Sequence, residues 1–367
     1  MQKKIMVITP RTPNLLLFRM DMMLDFKERG YDVIAVGEED ENHWVDKFEE
    51  YGICYRSIPV VRTGLNVFQD LKTLKAIRKL YEETKPAKVF LCQAKGVVYG
   101  SLAARGLEID VYSLISGLGS IFRGELWKTK LIRALMKIEY RFALPSNNAV
   151  IFHNNDDMQQ FIDWKLAPSQ ICKRVYGSGV NTEKFAWKEM PNHVGFLMVA
   201  RIIRDKGVIE YLEACKIVKQ KYPKVKCMLV GGFDTNLTAL NENDLEPYLQ
   251  YVDYAGEQSD VRPFIEQCTT YVLPSYHEGV SKSVLEAMSM GRAIITTDAP
   301  GCREPVLEGK NGYLVPVKDI QALAEKMEYM VLNPDEQKVM GKESRKIVEE
   351  HYDVDKVNEE IARIMNL

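Results

Sequence analysis

The stretch Tyr271-Val-Leu-Pro274-Ser-Tyr-His-Glu278-Gly-Val-Ser281-Lys-Ser-Val-Leu-Glu286-Ala-Met-Ser-Met-Gly291 decides how the chain is read. The apolar run ending at Pro274 reads as a buried strand. A glycine-containing loop follows, and Ser281 or Ser283 is placed to cap a helix running to about Met290. Strand, loop and helix in this order belong to an open parallel sheet, which binds ligands beyond the carboxyl ends of its strands. Glu278 then falls in the loop and Glu286 in the helix. The loop around Gly279 lets backbone amides approach oxygens closely, and the helix start adds partial positive charge. Carboxylates placed there are acceptors suited to sugar or ribose hydroxyls. A lone loop glutamate is ordinarily a solvated surface group; the surrounding strand–loop–helix is what favours a site.

The same rhythm extends in both directions. Phe196-Leu-Met-Val-Ala200-Arg201-Ile-Ile-Arg204-Asp-Lys206-Gly207 runs from a strand into cations and a glycine, ahead of a helix at Ile209–Lys219. Arg201 and Lys206 can reach one diphosphate, the first as a planar fork and the second as a point charge. Strands are expected at Ile5–Thr9, Val33–Val36, Val89–Cys92, Val111–Ile115 and Ala149–His153. A second set follows at Gly195–Ala200, Lys226–Val230, Tyr251–Ala255, Thr270–Leu273, Ala293–Thr297 and Tyr313–Val315. Helical segments between them predict two parallel α/β sheets. The polar stretch Ser178–Val194 reads as the linker, giving domains 1–180 and 193–350.

Composition narrows the function. The 367 residues suit two domains at roughly 150 residues each. Lys+Arg 49 against Asp+Glu 51 leaves a net charge of −2, unlike the basic domains of nucleic-acid binders. No nucleic-acid partner is expected. Seven scattered cysteines without a C-x-x-C pair read as reduced thiols. No apolar run reaches the length of a membrane span, and the start reads as a first strand, not a secretion signal. The expected location is the cytoplasm. Between Val111 and Pro145, however, six basic residues stand against two acidic ones. There Leu126, Trp127, Leu131, Ile132, Leu135, Met136 and Ile138 recur at helical spacing among Lys128, Lys130, Arg133, Lys137 and Arg141. Such a helix can lie on an anionic membrane surface or face a core with a solvated basic side.

With these residues in place, the chain resembles the family 4 glycosyltransferases of the GT-B fold, whose E-x7-E signature appears as Glu278 and Glu286. The resemblance runs over essentially the whole chain. It includes Arg201 and Lys206, Gly231-Gly232, Pro274-Ser275, Gly291, Thr297-Asp298, Gly301-Cys-Arg-Glu304 and Asn311-Gly312. In the first half it includes Phe18-Arg19, Tyr99-Gly-Ser-Leu-Ala103, Ser116-Gly-Leu-Gly-Ser120 and Phe152-His-Asn-Asn-Asp156. These first-half segments look most like the subgroup that extends polyprenyl-diphosphate-linked sugars, N-acetylgalactosaminyl transferases among them.

The resemblance implies two Rossmann-like domains facing each other across a cleft, with the terminal segment 353–367 returning to the first domain. It implies a retaining, metal-independent hexosyltransferase that uses a UDP-sugar donor, needs no cofactor, and acts at the inner face of the cytoplasmic membrane. Glu286 would accept the ribose hydroxyls. Glu278, with the Gly279 and Val280 amides, would hold the donor sugar, and Arg201 and Lys206 would neutralise the diphosphate as it leaves. Ser281 and Gly231 complete the expected donor site. In the first domain, Arg11 is expected to meet phosphate or acceptor charge, Ser116, Gly117 and Gly119 to line the sugar or acceptor site, and Asn154 to bind substrate.

The chain departs from the family in two places. Thr9-Pro-Arg-Thr-Pro-Asn14 stands where many members carry a glycine pair, and Ser116 where many carry a histidine. A soluble acceptor, a non-catalytic sugar-nucleotide binder and a UDP-sugar epimerase are the alternative readings. His43, His153, His193, His277 and His351 lack metal-ligand spacing, though His277 adjoins Glu278 and can orient its loop. Asp353-Val-Asp355 matches a D-x-D pattern, yet Asp353 also suits an N-cap before the terminal helix. No phosphate-binding G-x-G-x-x-G or Walker loop is present.

Overall fold

The computed structural model describes residues 3–60, 66–119, 122, 127–236 and 238–367, without the side chain of Lys128. It divides into two compact units: residues 1–178 with 354–367, and residues 179–353.

The first unit carries β1 (Lys4–Ile8), β2 (Asp32–Gly37), β3 (Cys54–Ser57), β4 (Lys88–Cys92), β5 (Asp110–Ile115), β6 (Ala149–Phe152) and β7 (Cys172–Arg174). They form one sheet in the order β3-β2-β1-β4-β5-β6-β7, with every neighbouring pair parallel. Its helices are α1 (Pro13–Glu28), α2 (Glu41–Glu49), α3 (Val67–Thr84), α4 (Ala94–Ala104), α5 (Trp127–Ala143) and α6 (Asn155–Asp163). Alternation along β1 shows why both faces are covered. Met6 and Ile8 enter one apolar cluster, Ile5 and Val7 the other, as expected of strands buried on two sides.

In the second unit β8 (Gly195–Val199), β9 (Lys226–Val230), β10 (Asp253–Tyr254), β11 (Thr270–Leu273), β12 (Ala293–Thr297) and β13 (Gly312–Val315) take the order β10-β9-β8-β11-β12-β13. All five neighbouring pairs are again parallel. Its helices are α7 (Val208–Lys221), α8 (Glu242–Leu245), α9 (Arg262–Glu266), α10 (Lys282–Ser289), α11 (Ile320–Leu332) and α12 (Pro334–Ile347). In both sheets the strand order reverses beside the first strand, which places a ligand crevice between β1 and β4 and another between β8 and β11. The last helix, α13 (Val354–Met365), belongs to the first unit. Val357, Ile361 and Met365 pack with Met22 and Phe26 of α1, and Arg29 pairs with Glu359 at 2.6 Å.

Two readings of the sequence need correction. The short edge strands β3 and β7 carried no clear periodic signal, and the strand expected over 251–255 is reduced to two residues. The stretch Ser178–Val194 is not a free linker. From Gly179 onward it is packed on the second unit: Val180 pairs with Asp353, Phe185 is buried, and Trp187 fills the space where a Cβ on Gly291 would lie. Beyond that single bridge it has no ladder partner, so its carbonyls need other donors, and two arginines supply them. Arg345 Nη1 donates to the carbonyls of Thr182 and Phe185, each at 3.2 Å. Arg292, wholly buried, donates to Lys188, Glu189 and Ile265 carbonyls at 2.9, 3.4 and 2.8 Å.

Arg292→Met should therefore lower the stability of the second unit by about 3 kcal/mol or more, because each carbonyl stripped of its donor costs roughly 1–3 kcal/mol. Chemical denaturation followed by tryptophan fluorescence measures it, and an unshifted midpoint would contradict the role given to Arg292.

Candidate functional site

The site in the second unit is built from two loops stitched together at the carboxyl ends of β8 and β11. After β8 the chain makes a single 3-10 turn, Arg204–Lys206, closed by Gly207 at φ 74°. A Cβ on Gly207 would lie 2.1 Å from the Pro274 carbonyl oxygen, so only glycine allows this approach. The Asp205 carbonyl accepts the Tyr276 amide at 2.9 Å and the Ser275 hydroxyl at 3.1 Å. Beneath them the buried Tyr271 hydroxyl bonds the Val199 carbonyl at 2.9 Å and Ser283 Oγ at 2.7 Å. Burial, the largest influence, drives that phenol's pKa far above its ordinary value, so it stays a neutral donor. Behind the loop, Gly301 at φ 77° lies so close to the Glu278 carbonyl that a Cβ there would be 1.9 Å from its oxygen. The Glu278 amide in turn donates to Pro300 at 2.9 Å.

These contacts bring the expected charges together. Lys206 Nζ forms an ion pair with Glu278 Oε1, both side chains largely buried. Taking two charges out of water is costly unless they compensate each other, and here each is the other's partner. Arg201, more exposed, pairs with Asp234 at 2.6 Å. Asp234 also accepts the amides of Thr235 and Asn236 at 2.7 and 3.0 Å. Burial raises its pKa, but the Arg201 bond and charge and the two amides outweigh it and hold the carboxyl below its usual range.

Glu286 lies in α10, partly buried, and no hydrogen bond or ion pair is found for its carboxylate among the described residues. Burial raises its pKa to about 7, against the lowering pull of Lys282 and Lys184.

The remaining donor-side residues divide. Gly279 and Val280 are partly buried in the loop between the Glu278 ion pair and α10. Ser281 occupies the N-cap position of α10 without capping it through its side chain; its hydroxyl lies 3.2 Å from Ser283 Oγ. Gly231 does not offer its amide to a ligand. The N–H donates to Gly256 and the carbonyl accepts the Tyr254 hydroxyl, both at 2.8 Å. Its need for glycine comes from φ 151° and the Ala200 carbonyl, 1.8 Å from where a Cβ would sit.

In the first unit, Arg11 is exposed after β1, its amide donating to Gln93 Oε1 at 3.3 Å across the β1/β4 crevice. Ser116, Gly117 and Gly119 follow β5, with Ser116 and Gly119 exposed and Gly117 at φ 145°. Ser120 and Leu126 lie outside the described residues. Asn154 must be reassigned: it is wholly buried and caps α6. Its Oδ1 accepts the Asp157 amide at 2.7 Å and its Nδ2 donates to Asp157 Oδ2 at 3.0 Å. Asparagine is a common residue at helix N-caps, a signal that the substrate reading did not use.

Sequence reasoning missed Asp234 and Tyr271, whose roles depend on contacts 33 and 72 residues away. Among the described residues no group of His, Cys, Asp or Glu side chains is arranged to hold a metal.

Residues 180–347 match the family Glycosyl transferases group 1, and residues 12–154 match Glycosyl transferase 4-like. The chain is 28 % identical over 329 residues to the N,N'-diacetylbacillosaminyl-diphospho-undecaprenol alpha-1,3-N-acetylgalactosaminyltransferase of Campylobacter jejuni, covering 86 % of this chain and 85 % of that one. It is 25 % identical over 286 residues to the UDP-Gal:alpha-D-GlcNAc-diphosphoundecaprenol alpha-1,3-galactosyltransferase of Escherichia coli, covering 72 % and 71 %. Among solved structures, HepE of Anabaena in complex with UDP-glucose superposes with a TM-score of 0.78 at 16 % identity over the whole of both chains. The architecture is thus GT-B, two Rossmann-like parallel-sheet domains, and the chain is a glycosyltransferase whose second domain matches the group 1 family and whose first domain matches the 4-like family.

Proposed function

We propose that this glycosyltransferase moves a hexose or N-acetylhexosamine from a UDP-sugar to a polyprenyl-diphosphate-linked saccharide in surface-glycan assembly. The observation that carries the donor half is the meeting of Lys206 and Glu278 where β8 and β11 diverge, with Arg201 nearby in sequence and Glu286 in the helix that follows. Each cation has a carboxylate partner. A diphosphate entering the crevice competes for Lys206 and Arg201, freeing Glu278 to accept the sugar hydroxyls beside the Gly279 and Val280 amides. As the bond to the sugar breaks, charge accumulates on the leaving diphosphate, and two fixed cations stabilise that state most. This assigns them the work a divalent cation does in metal-dependent transferases. Departure from the face on which the new sugar bond forms gives retention of anomeric configuration. Glu286, with no other partner among the described residues, takes the ribose hydroxyls. The acceptor half rests on the names of the Campylobacter and Escherichia relatives, both of which act on diphospho-undecaprenol-linked sugars.

That acceptor lies in a bilayer, and α5 supplies a surface to meet it at the inner face of the cytoplasmic membrane. No helix among the described residues is long and apolar enough to cross a membrane. Trp127, 70 % exposed, begins a row continued by Leu131, Leu135, Ile138 and Phe142, all exposed and spaced at helical intervals. Met136, Tyr140 and Ala143 face the core instead. The helix is therefore apolar on two faces, and Lys130, Arg133, Lys137 and Arg141 flank the outer one. Lys137 lies over the Trp164 ring at 3.3 Å, and Arg141 bonds the Trp164 and Lys165 carbonyls at 3.0 and 3.3 Å. An outer apolar row with basic flanks suits an anionic lipid surface.

Incubation with a panel of UDP-sugars and a polyprenyl-diphosphate-linked sugar should give a lengthened lipid-linked saccharide, with Lys206→Ala lowering kcat by about 100-fold, as for loss of one oxyanion donor. No transfer by the wild type across the panel would refute the proposal. UDP affinity should rise as pH rises through about 7, because Glu286 must give up its proton to accept the ribose hydroxyls. Glu286→Gln should weaken UDP by about 1–3 kcal/mol at pH 8 and flatten that pH dependence in calorimetric titrations. An unchanged affinity and slope would remove Glu286 from the ribose site. In flotation with phosphatidylglycerol vesicles, the wild type should float and the double variant Leu131→Glu/Leu135→Glu should remain at the bottom; equal flotation of the two would refute membrane contact through α5.

A further inference from the structure

Arg19, His153 and Ser178 stand together at the carboxyl edge of the first sheet and have no role in the reading above. Arg19, in α1, is only 6 % exposed. Its Nη1 donates to the Phe18 carbonyl and to Ser178 Oγ, both at 3.1 Å. Its Nε and Nη2 have no hydrogen-bond partner, and no carboxylate pairs with it, among the described residues. His153 directly follows β6, is 4 % exposed, and leaves Nε2 buried without a partner. Burial and then the charge of Arg19 lower its pKa to about 3, so the ring is neutral and one nitrogen carries a proton to donate. Ser178 Oγ accepts from Arg19, which leaves its own O–H to donate as well.

A buried guanidinium without a carboxylate carries an uncompensated desolvation cost, and an unpartnered buried ring nitrogen adds to it. One kind of ligand offsets both: an anion with several acceptor oxygens. The planar fork of arginine matches phosphate oxygens in pairs.

We infer that Arg19, His153 and Ser178 form a phosphate-binding site in the first unit. Arg19 Nε and Nη2, the His153 Nε2–H and the Ser178 O–H are its donors. The inference rests on the proposed function only for the source of the phosphate, which on that reading is the diphosphate of the lipid-linked acceptor.

Calorimetry on the full chain tests it, with UDP held at saturation so that the donor site is occupied. Inorganic pyrophosphate and farnesyl diphosphate are titrated separately, the latter below the concentration at which it forms micelles. The wild type should bind pyrophosphate, and Arg19→Gln should weaken it at least tenfold while UDP affinity is unchanged. His153→Phe should weaken it as well, which keeps the test open if Arg19→Gln does not fold. Farnesyl diphosphate binding more tightly than pyrophosphate supports the acceptor as the source; equal affinities, lost together in the variants, support a site for free phosphate. No pyrophosphate binding by the wild type, or wild-type binding in both variants, would overturn the site. Because no readout depends on transfer, failure of the acceptor assay leaves this test intact.

Discussion

Everything proposed for the second unit depends on one close approach, that of Gly207 to the Pro274 carbonyl. It brings the turn after β8 against the loop after β11, and the Asp205 carbonyl holds the two through Ser275 and Tyr276. With the backbones fixed, Lys206 and Glu278 meet as a largely buried pair. Held together at the crevice, the pair is what a diphosphate has to part on the proposed reading, with Lys206 turning to phosphate and Glu278 to the sugar. The same constraint explains why the site contains so few free groups. Arg201 and Lys206 each have a carboxylate, whereas Glu286 has no partner among the described residues, and burial raises its pKa to about 7.

The two units repeat one strand order but use it differently. In the second, the switch between β8 and β11 gathers the charged side chains. In the first, the switch between β1 and β4 has an exposed Arg11 and the Gln93 side chain, while the buried polar groups gather further along, beyond β6. Such a division suits a donor with a fixed nucleotide head and an acceptor whose long tail lies elsewhere. The terminal helix adds a structural link of its own: α13 returns to pack on α1, so both ends of the chain contribute to the first unit's core.

Much of this was legible in the sequence. Alternating apolar runs predicted both sheets, and Pro274-Ser275 followed by glycine predicted the loop carrying Glu278, since turn chemistry is local. What was not legible depends on distance along the chain. The Lys206–Glu278 pair joins residues 72 apart, and Arg292 acts on carbonyls 103 and 104 residues away. Nothing local separates such an arginine from a surface one. Asn154 and Gly231 were misplaced for a related reason: helix caps and close backbone approaches use the same residue types as ligand sites, and only the three-dimensional contacts tell them apart. For α5, the sequence posed core and membrane as alternatives, whereas the helix has an apolar face on each side.

The most direct test is a crystal structure of the protein with an intact UDP-sugar. Lys206 Nζ should have moved from Glu278 onto a diphosphate oxygen, with Glu278 turned to the sugar hydroxyls. A bound nucleotide sugar beside an unbroken Lys206–Glu278 pair, with no cation on its phosphates, would contradict the role assigned to that pair.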